Sequence, residues 1–107
     1  MARMKWGTLT EPMFYILLCL TKECCGMDIM DMVPAMTGGR VNVGSGTLYN
    51  LLEQFQDAKF IRETKVEGRR RSYILTDAGR AVLREEYHRL QRQLEDYERI
   101  MKGEGSK

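Results

Sequence analysis

Gly44-Ser45-Gly46-Thr47-Leu48-Tyr49-Asn50-Leu51-Leu52-Glu53-Gln54-Phe55 and, a few residues later, Phe60-Ile61-Arg62-Glu63-Thr64-Lys65-Val66-Glu67-Gly68-Arg69-Arg70-Arg71-Ser72-Tyr73-Ile74-Leu75 decide how this chain is read. In the first stretch Leu48, Leu51, Leu52 and Phe55 recur at spacings of three and four, which predicts a helix with one buried stripe. Thr47, Asn50 and Gln54 share the opposite face. That face is polar but uncharged, with donors and acceptors of the kind that read base edges. In the second stretch Phe60 to Val66 and Ser72 to Leu75 are rich in aromatic and β-branched residues, and Glu67-Gly68 supplies a turn. A hairpin with a basic tip is expected.

Upstream, Thr10-Glu11-Pro12 opens a helix with a capping hydroxyl, an acid in the first turn and a proline where no N–H is required. Met13, Phe14, Ile16, Leu17, Leu18 and Leu20 make it apolar nearly all round, so it is buried on more than one side. Gly26 begins a second helix with Ile29, Met30, Val33 and Met36 on one face and Asp28 and Asp31 on the other. Pro34 shortens or kinks its last turn, and Thr37-Gly38-Gly39 stops it. Either Gly44 or Ser45 can cap the third helix. Three helices followed by a basic hairpin is the order of a winged helix-turn-helix domain.

Downstream, Thr76-Asp77 caps a last helix running to about Lys102. Leu83, Tyr87, Leu90, Leu94, Tyr97 and Met101 are separated alternately by four and three residues, a heptad seam. Such a helix extends about 40 Å at 1.5 Å per residue, beyond the roughly 30–35 Å diameter of a compact domain of this length. Part of it must project, and a second copy of the chain is the simplest cover for its stripe. The expected organisation is residues 1–75 as a winged helix-turn-helix domain, 76–102 as a dimerisation helix and 103–107 as a disordered tail.

Composition narrows the function. The 107 residues carry 17 Lys plus Arg against 15 Asp plus Glu, a net charge of +2, which excludes a histone-like basic tail. The excess is local: residues 38–75 hold seven basic and four acidic side chains, and six of the seven lie between Lys59 and Leu75. A polyanion is a candidate partner for that cluster; a solvated turn is the plainer explanation of three arginines alone. The longest nearly apolar run, Met13 to Leu20, is far short of the ~20 residues that span a bilayer. With no secretory signal, the odd cysteines Cys19, Cys24 and Cys25 read as reduced thiols in a cytoplasm.

His88 is the lone histidine and no phosphate-binding glycine loop is present, so a catalytic constellation lacks its parts. The cysteines lack the spacing of a zinc site, and no cofactor is expected. A thiol switch at Cys24-Cys25 and a winged helix used for protein contact remain as alternatives. Methionines such as Met4, Met13 and Met101 suit either an adaptable ligand pocket or core and interface filling.

Gly46-Thr47-Leu48-Tyr49-Asn50-Leu51-Leu52 followed by Gly68-Arg69-Arg70-Arg71-Ser72-Tyr73-Ile74-Leu75-Thr76-Asp77-Ala78-Gly79 resembles the PadR family of transcriptional regulators. Leu9 to Leu18 and Gly26-Met27-Asp28-Ile29 look like its first two helices, so the likeness covers roughly residues 9–83. It implies a mainly α winged-helix repressor that dimerises through its C-terminal helix and binds an inverted-repeat operator in double-stranded DNA. By resemblance Thr47, Tyr49 and Asn50 fall at the exposed start of the recognition helix, Arg70 and Arg71 fall on the wing, and Tyr73 and Gly79 are structural.

Phosphate contacts are expected from Arg40, Lys65, Arg69, Arg70 and Arg71 and from the main chain at Ser45 and Gly46. Base contacts are expected from Thr47 and Asn50. Tyr49 either meets the DNA backbone or packs half-buried against the wing. Dimer contacts are expected from Phe14, Leu17, Leu83, Tyr87, Leu90, Leu94, Tyr97 and Met101. Two departures stand out: Ser45 replaces a proline frequent in the family, and Met27 replaces a common aromatic. Some short members bind flat hydrophobic effectors between aromatics of the dimer pore. Here the projecting helix offers Tyr87 and Tyr97, while the single tryptophan, Trp6, lies elsewhere.

Overall fold

The computed structural model describes residues 8–105 of the chain. Thr10 caps α1 (Glu11–Cys19), its Oγ1 accepting the Met13 N–H at 3.4 Å. Ile16, Leu17, Cys19 and Leu20 of this segment are fully covered by the chain's own core, as an all-round apolar helix requires. Leu17 therefore has no surface to offer a partner, and its expected place in the dimer interface is corrected: the α1 face that stays partly open carries Phe14.

The loop after α1 forms an element that sequence reading missed. Cys24–Cys25 is a two-residue strand, β1, too short to show alternation. Behind it α2 (Gly26–Met36) starts on a cap in which Asp28 accepts the Cys25 N–H at 3.1 Å. Pro34 sits inside the last turn. Beyond it the Thr37 hydroxyl donates to the Val33 carbonyl at 2.9 Å and accepts the Val41 N–H at 3.1 Å. Gly38 and Gly39 then take left-handed backbone angles (φ 61° and 81°), which end the helix at little steric cost.

α3 (Ser45–Asp57) begins with Gly44 as its cap, which resolves the choice between Gly44 and Ser45. Leu48, Leu51, Leu52 and Phe55 are its buried stripe, as their spacing predicts. The hairpin follows as β2 (Ile61–Glu67) and β3 (Arg70–Leu75), with an irregularity between Glu63 and Lys65. Tyr73 and Ser72 of β3 also pair with Cys24 and Cys25, so the sheet has three strands in the order β1-β3-β2 rather than the two of the wing alone.

α4 (Asp77–Gly105) is launched by Thr76. Its hydroxyl donates to the Lys59 carbonyl at 2.6 Å and accepts the Gly79 N–H at 3.1 Å. Lys59 itself is held at φ 67°, an uncommon angle for a residue with a side chain. Gly79 is where the long helix touches the body: a Cβ there would lie 2.1 Å from the Phe60 carbonyl oxygen.

The helix continues past Lys102 through Gly105, where a disordered tail was expected. Adding a residue to an existing helix gains a hydrogen bond without a new nucleation cost, and Lys102 suits the negative end of the helix dipole. The radius of gyration is 16.2 Å, against about 13 Å for a compact chain of this length, so the helix projects as predicted. Among the described residues no helix is long and apolar enough to cross a membrane. Met4 and Trp6 lie outside the described residues.

Candidate nucleic-acid interface

Tyr49 fixes the geometry. Counted along α3 it neighbours the Thr47–Asn50 face, and its ring lies against the start of α2. A Cβ on Gly26 would fall 2.5 Å from the Tyr49 hydroxyl oxygen, so the missing side chain there makes room for the ring. Tyr49 is nonetheless 47% exposed, because its other side borders a cleft of about 290 Å³ lined by Cys25, Gly26, Met27, Arg69, Arg70 and Arg71. Both sequence readings of Tyr49 are thus partly realised: it is packed, but on α2, and it remains open toward the arginines. The start of α3 and the arginine tip of the hairpin share one side of the molecule.

Thr47 and Asn50 are exposed, as are Ser45 and Gly46. Gly44 gives α3 no side-chain cap, so the first-turn N–H groups of an exposed helix start are left for an anion. Nothing lies within 4 Å of a Cβ placed on Gly46, so that turn is open to close approach.

The wing cations differ in how free they are. Arg69 and Arg70 are exposed and make no salt bridge among the described residues. Arg71 reaches across the hairpin to Glu63, 3.6 Å away. That carboxylate has one oxygen buried with no hydrogen-bond partner, so Arg71 supplies its countercharge. Arg70 also borders a second, smaller cleft of about 180 Å³ lined by Glu23, Asp28, Glu67 and Lys65. Asp28 is held below the usual carboxylate range, first by its hydrogen bonds from Cys25 and then by the charge of Arg70. Lys65 therefore stands among acids on a different cleft from Tyr49, sharing it with Arg70 but not with Arg69 or Arg71.

Arg40 is placed differently from its expected role. It pairs with Glu11 at the start of α1, donates to the Tyr15 hydroxyl at 3.1 Å and lies 6.0 Å from that ring's centre. Its charge is already answered on the α1 side of the loop that leads to α3. Sequence reading missed Met27 as a lining residue of the main cleft and Asp28 as the acid facing Arg70. Neither carries a local signal, since both depend on β1 bringing the start of α2 alongside the wing.

The three cysteines are free thiols, two of them buried. Burial pushes Cys19 up to about 11 and Cys24, with the further charges of Cys19, Asp28 and Cys25 near it, up to about 12. Cys25 is buried and directs its S–H to the Asp28 carboxylate at 3.3 Å. Thiols of raised pKa are poor nucleophiles, which speaks against Cys19 and Cys24 as the sensors of a thiol-responsive regulator. Among the described residues no group of three histidine, cysteine or acidic side chains is placed to hold a metal ion.

The seam on α4 divides in two. Leu83 is only 9% exposed and belongs to the core, so it closes the seam rather than contributing freely to it. Tyr87, Leu90, Leu94, Tyr97 and Met101 are 41–64% exposed. Glu86 is buried beside the seam, paired with Arg89 and accepting the Leu9 N–H at 3.4 Å. These contacts, that from Arg89 foremost, hold its carboxyl below the ordinary range.

Comparison with known proteins places this geometry. Residues 16–85 match the family model described as the transcriptional regulator PadR-like family. No curated protein sequence matches the chain. Among solved structures, the chain is similar to a PadR family transcriptional regulator from Eggerthella lenta DSM 2243, with a TM-score of 0.71 at 21% identity over 83% of this chain and 80% of that one. A PadR-like transcription factor from Bacteroides fragilis gives 0.69 at 27% identity over 82% and 87%. Bacillus subtilis PadR in complex with operator DNA gives 0.60 at 27% identity over 68% of this chain, which spans 44% of that longer protein. The family match covers the end of α1, all of α2 and α3, the wing and the root of α4, and this chain belongs to the PadR-like family of DNA-binding transcriptional regulators.

Proposed function

We propose that the chain works as a homodimeric, sequence-specific repressor that sets α3 into the major groove of an inverted-repeat operator. Thr47 and Asn50 read base edges, Asn50 facing adenine. Arg69 and Arg70 hold backbone phosphates, the α3 start adds main-chain donors, and Arg71 and Lys65 contribute less because Glu63 and the nearby acids already answer part of their charge. The observation that carries this reading is the cleft shared by Tyr49 and the arginine tip, which turns one helix face and one basic flap the same way. The likeness to a PadR protein solved on operator DNA supports it. A protein-contact module would want a neutral wing, and this one is basic.

Dimerisation follows from the uncovered α4 seam, joined by Phe14. Repression, and its relief by a small hydrophobic effector lodged between the paired helices near Tyr87 and Tyr97, are carried over from the family resemblance. Selection of bound fragments from a random duplex pool tests the reading. The expected result is an inverted repeat with half-sites about one or two helical turns apart, and selection with Asn50→Ala loses preference at one position in each half-site. Enrichment of no sequence, or of an unrepeated one, overturns it.

A further inference from the structure

The cleft between Tyr49 and the arginine tip has two chemically unlike halves. One is cationic: Arg69 and Arg70 line it without a salt bridge among the described residues, and Arg71 joins them while shared with Glu63. The acids nearest to them, Asp28 and Glu63, stand outside the cleft. The other half is apolar and aromatic. Met27 is 60% exposed at the start of α2, and Tyr49 turns a half-exposed ring to the same space. A duplex answers only the first half. Its phosphates lie outside, but its base faces are stacked within, and drawing one out costs unstacking energy. We propose that the cleft also takes a free nucleoside diphosphate or triphosphate, its base on Tyr49 beside Met27 and its phosphates on Arg69 and Arg70, and that this ligand shuts the duplex out.

Size, charge and ring placement agree on that class. The volume of about 290 Å³ is at the small end of ligand pockets, which run from roughly 300 to 1,000 Å³, and leaves room for one nucleotide. Two unanswered guanidinium forks match phosphate oxygens, and a single phosphate would leave one of them unmet. Gly26 and Met27 open α2, and the N–H groups of a helix's first turn have no partner within it, so they add donors on the same wall. Gly26 also seats the ring: a Cβ there would lie 2.5 Å from the Tyr49 hydroxyl oxygen and 2.9 Å from the nearest ring edge. The phenol end is thereby held against α2 while the rest stays open for stacking, which is tolerant of base identity because every base has a π-face. The Met27 thioether suits the edge of an aromatic ligand. The inference rests on the duplex reading above for its consequence, not for its site. The same arginines serve both ligands, so DNA occupancy would follow nucleotide level at the DNA-facing surface itself.

Calorimetric titration of the full chain with ADP, GDP and UDP, without DNA and at about 0.15 M salt to screen diffuse attraction, tests the site. Each nucleotide is expected to bind about tenfold more tightly than pyrophosphate or the bare nucleosides, the loss that follows removal of one stacked base. Tyr49→Ala should bring the nucleotides down to the level of pyrophosphate, and Tyr49→Phe, which keeps the ring, should retain their binding; circular dichroism checks that both fold. Arg69→Ala with Arg70→Ala should abolish binding. In a second arm the same nucleotides are expected to displace a labelled random duplex, read by fluorescence anisotropy. If none of the three binds while the duplex does, the inference falls and the duplex reading stands. Pyrophosphate binding as tightly as the nucleotides, or indifference to Tyr49→Ala, overturns the inference as well, and binding without displacement overturns the exclusion. A chain that binds nucleotide and no duplex overturns the duplex reading and keeps the site.

Discussion

Replacing Arg69 and Arg70 together by alanine tests the interface where its charges are least compromised. Both side chains are exposed and without a salt bridge among the described residues, whereas Arg71 leans on Glu63 and Arg40 on Glu11. If each of the two neutralises one phosphate, a dimer loses four such contacts, and the slope of log affinity against log salt flattens by about 3.6. Between 50 and 200 mM salt the parent should then lose about 150-fold more affinity than the variant. Fluorescence anisotropy on a selected duplex and on a random duplex of equal length, at four or five salt concentrations, reads this directly. The flattening should be the same on both, because phosphate contacts carry no sequence. The Arg71→Ala change should flatten the slope by clearly less than half as much. A double variant whose slope stays within about one unit of the parent's would refute the claim that the free wing arginines hold the backbone.

Two further outcomes follow from the body of the domain. Gly79→Ala forces a methyl to 2.1 Å from the Phe60 carbonyl and 2.8 Å from Leu75; it should cost about 3 kcal/mol and lower the thermal midpoint by about 12 °C or more, readable by calorimetry. Glu86→Gln removes a buried carboxylate whose pKa is lowered in the folded state. The stability it contributes is fully present above the ordinary carboxylate range and disappears as pH falls through the lowered value. Urea midpoints from pH 7 to 3 should therefore fall less steeply in the variant, which at pH 7 is less stable by about 1–2 kcal/mol, discounted for the partial exposure of Arg89.

Where a segment's partner is its own helix or hairpin, sequence reading reached the structure. The stripe of α3, the Thr10 and Thr76 caps and the projecting seam are local patterns, and each is present as expected. What escaped it depends on distant chain. Cys24-Cys25 becomes a strand only because β3 has a free edge there, and no two-residue stretch announces that. Leu17 and Leu83 obey the same apolar logic as true interface residues, and only three-dimensional packing decides which side covers them. The arginines look equivalent in sequence, yet Glu63, Asp28 and Glu11 grade them, and each of those acids reaches its cation from another element.

That grading explains why a chain of net charge +2 suits a polyanion. Charge acts over the screening length, about 8 Å at physiological ionic strength, so the total over a molecule 63 Å long is the wrong quantity. Glu95, Asp96 and Glu98 sit about 27–32 Å along the helix from its start at Asp77, beyond several screening lengths, and cannot offset the field at the wing. The near acids are the ones that matter, and they act pairwise: Glu63 answers Arg71 and Glu11 answers Arg40, while Asp28 only faces Arg70 without a salt bridge, which leaves Arg69 and Arg70 the more open to a duplex. The distal acids are also matched in place: Arg92, Arg99 and Lys102 lie among them and Asp96 is paired with Arg99, so this stretch of the helix carries no net charge. Lowering the salt to about 0.01 M, where the screening length reaches roughly 30 Å, should therefore leave the salt plot straight, and a downward bend there that vanishes when Glu95, Asp96 and Glu98 are replaced by glutamine and asparagine would refute the reasoning.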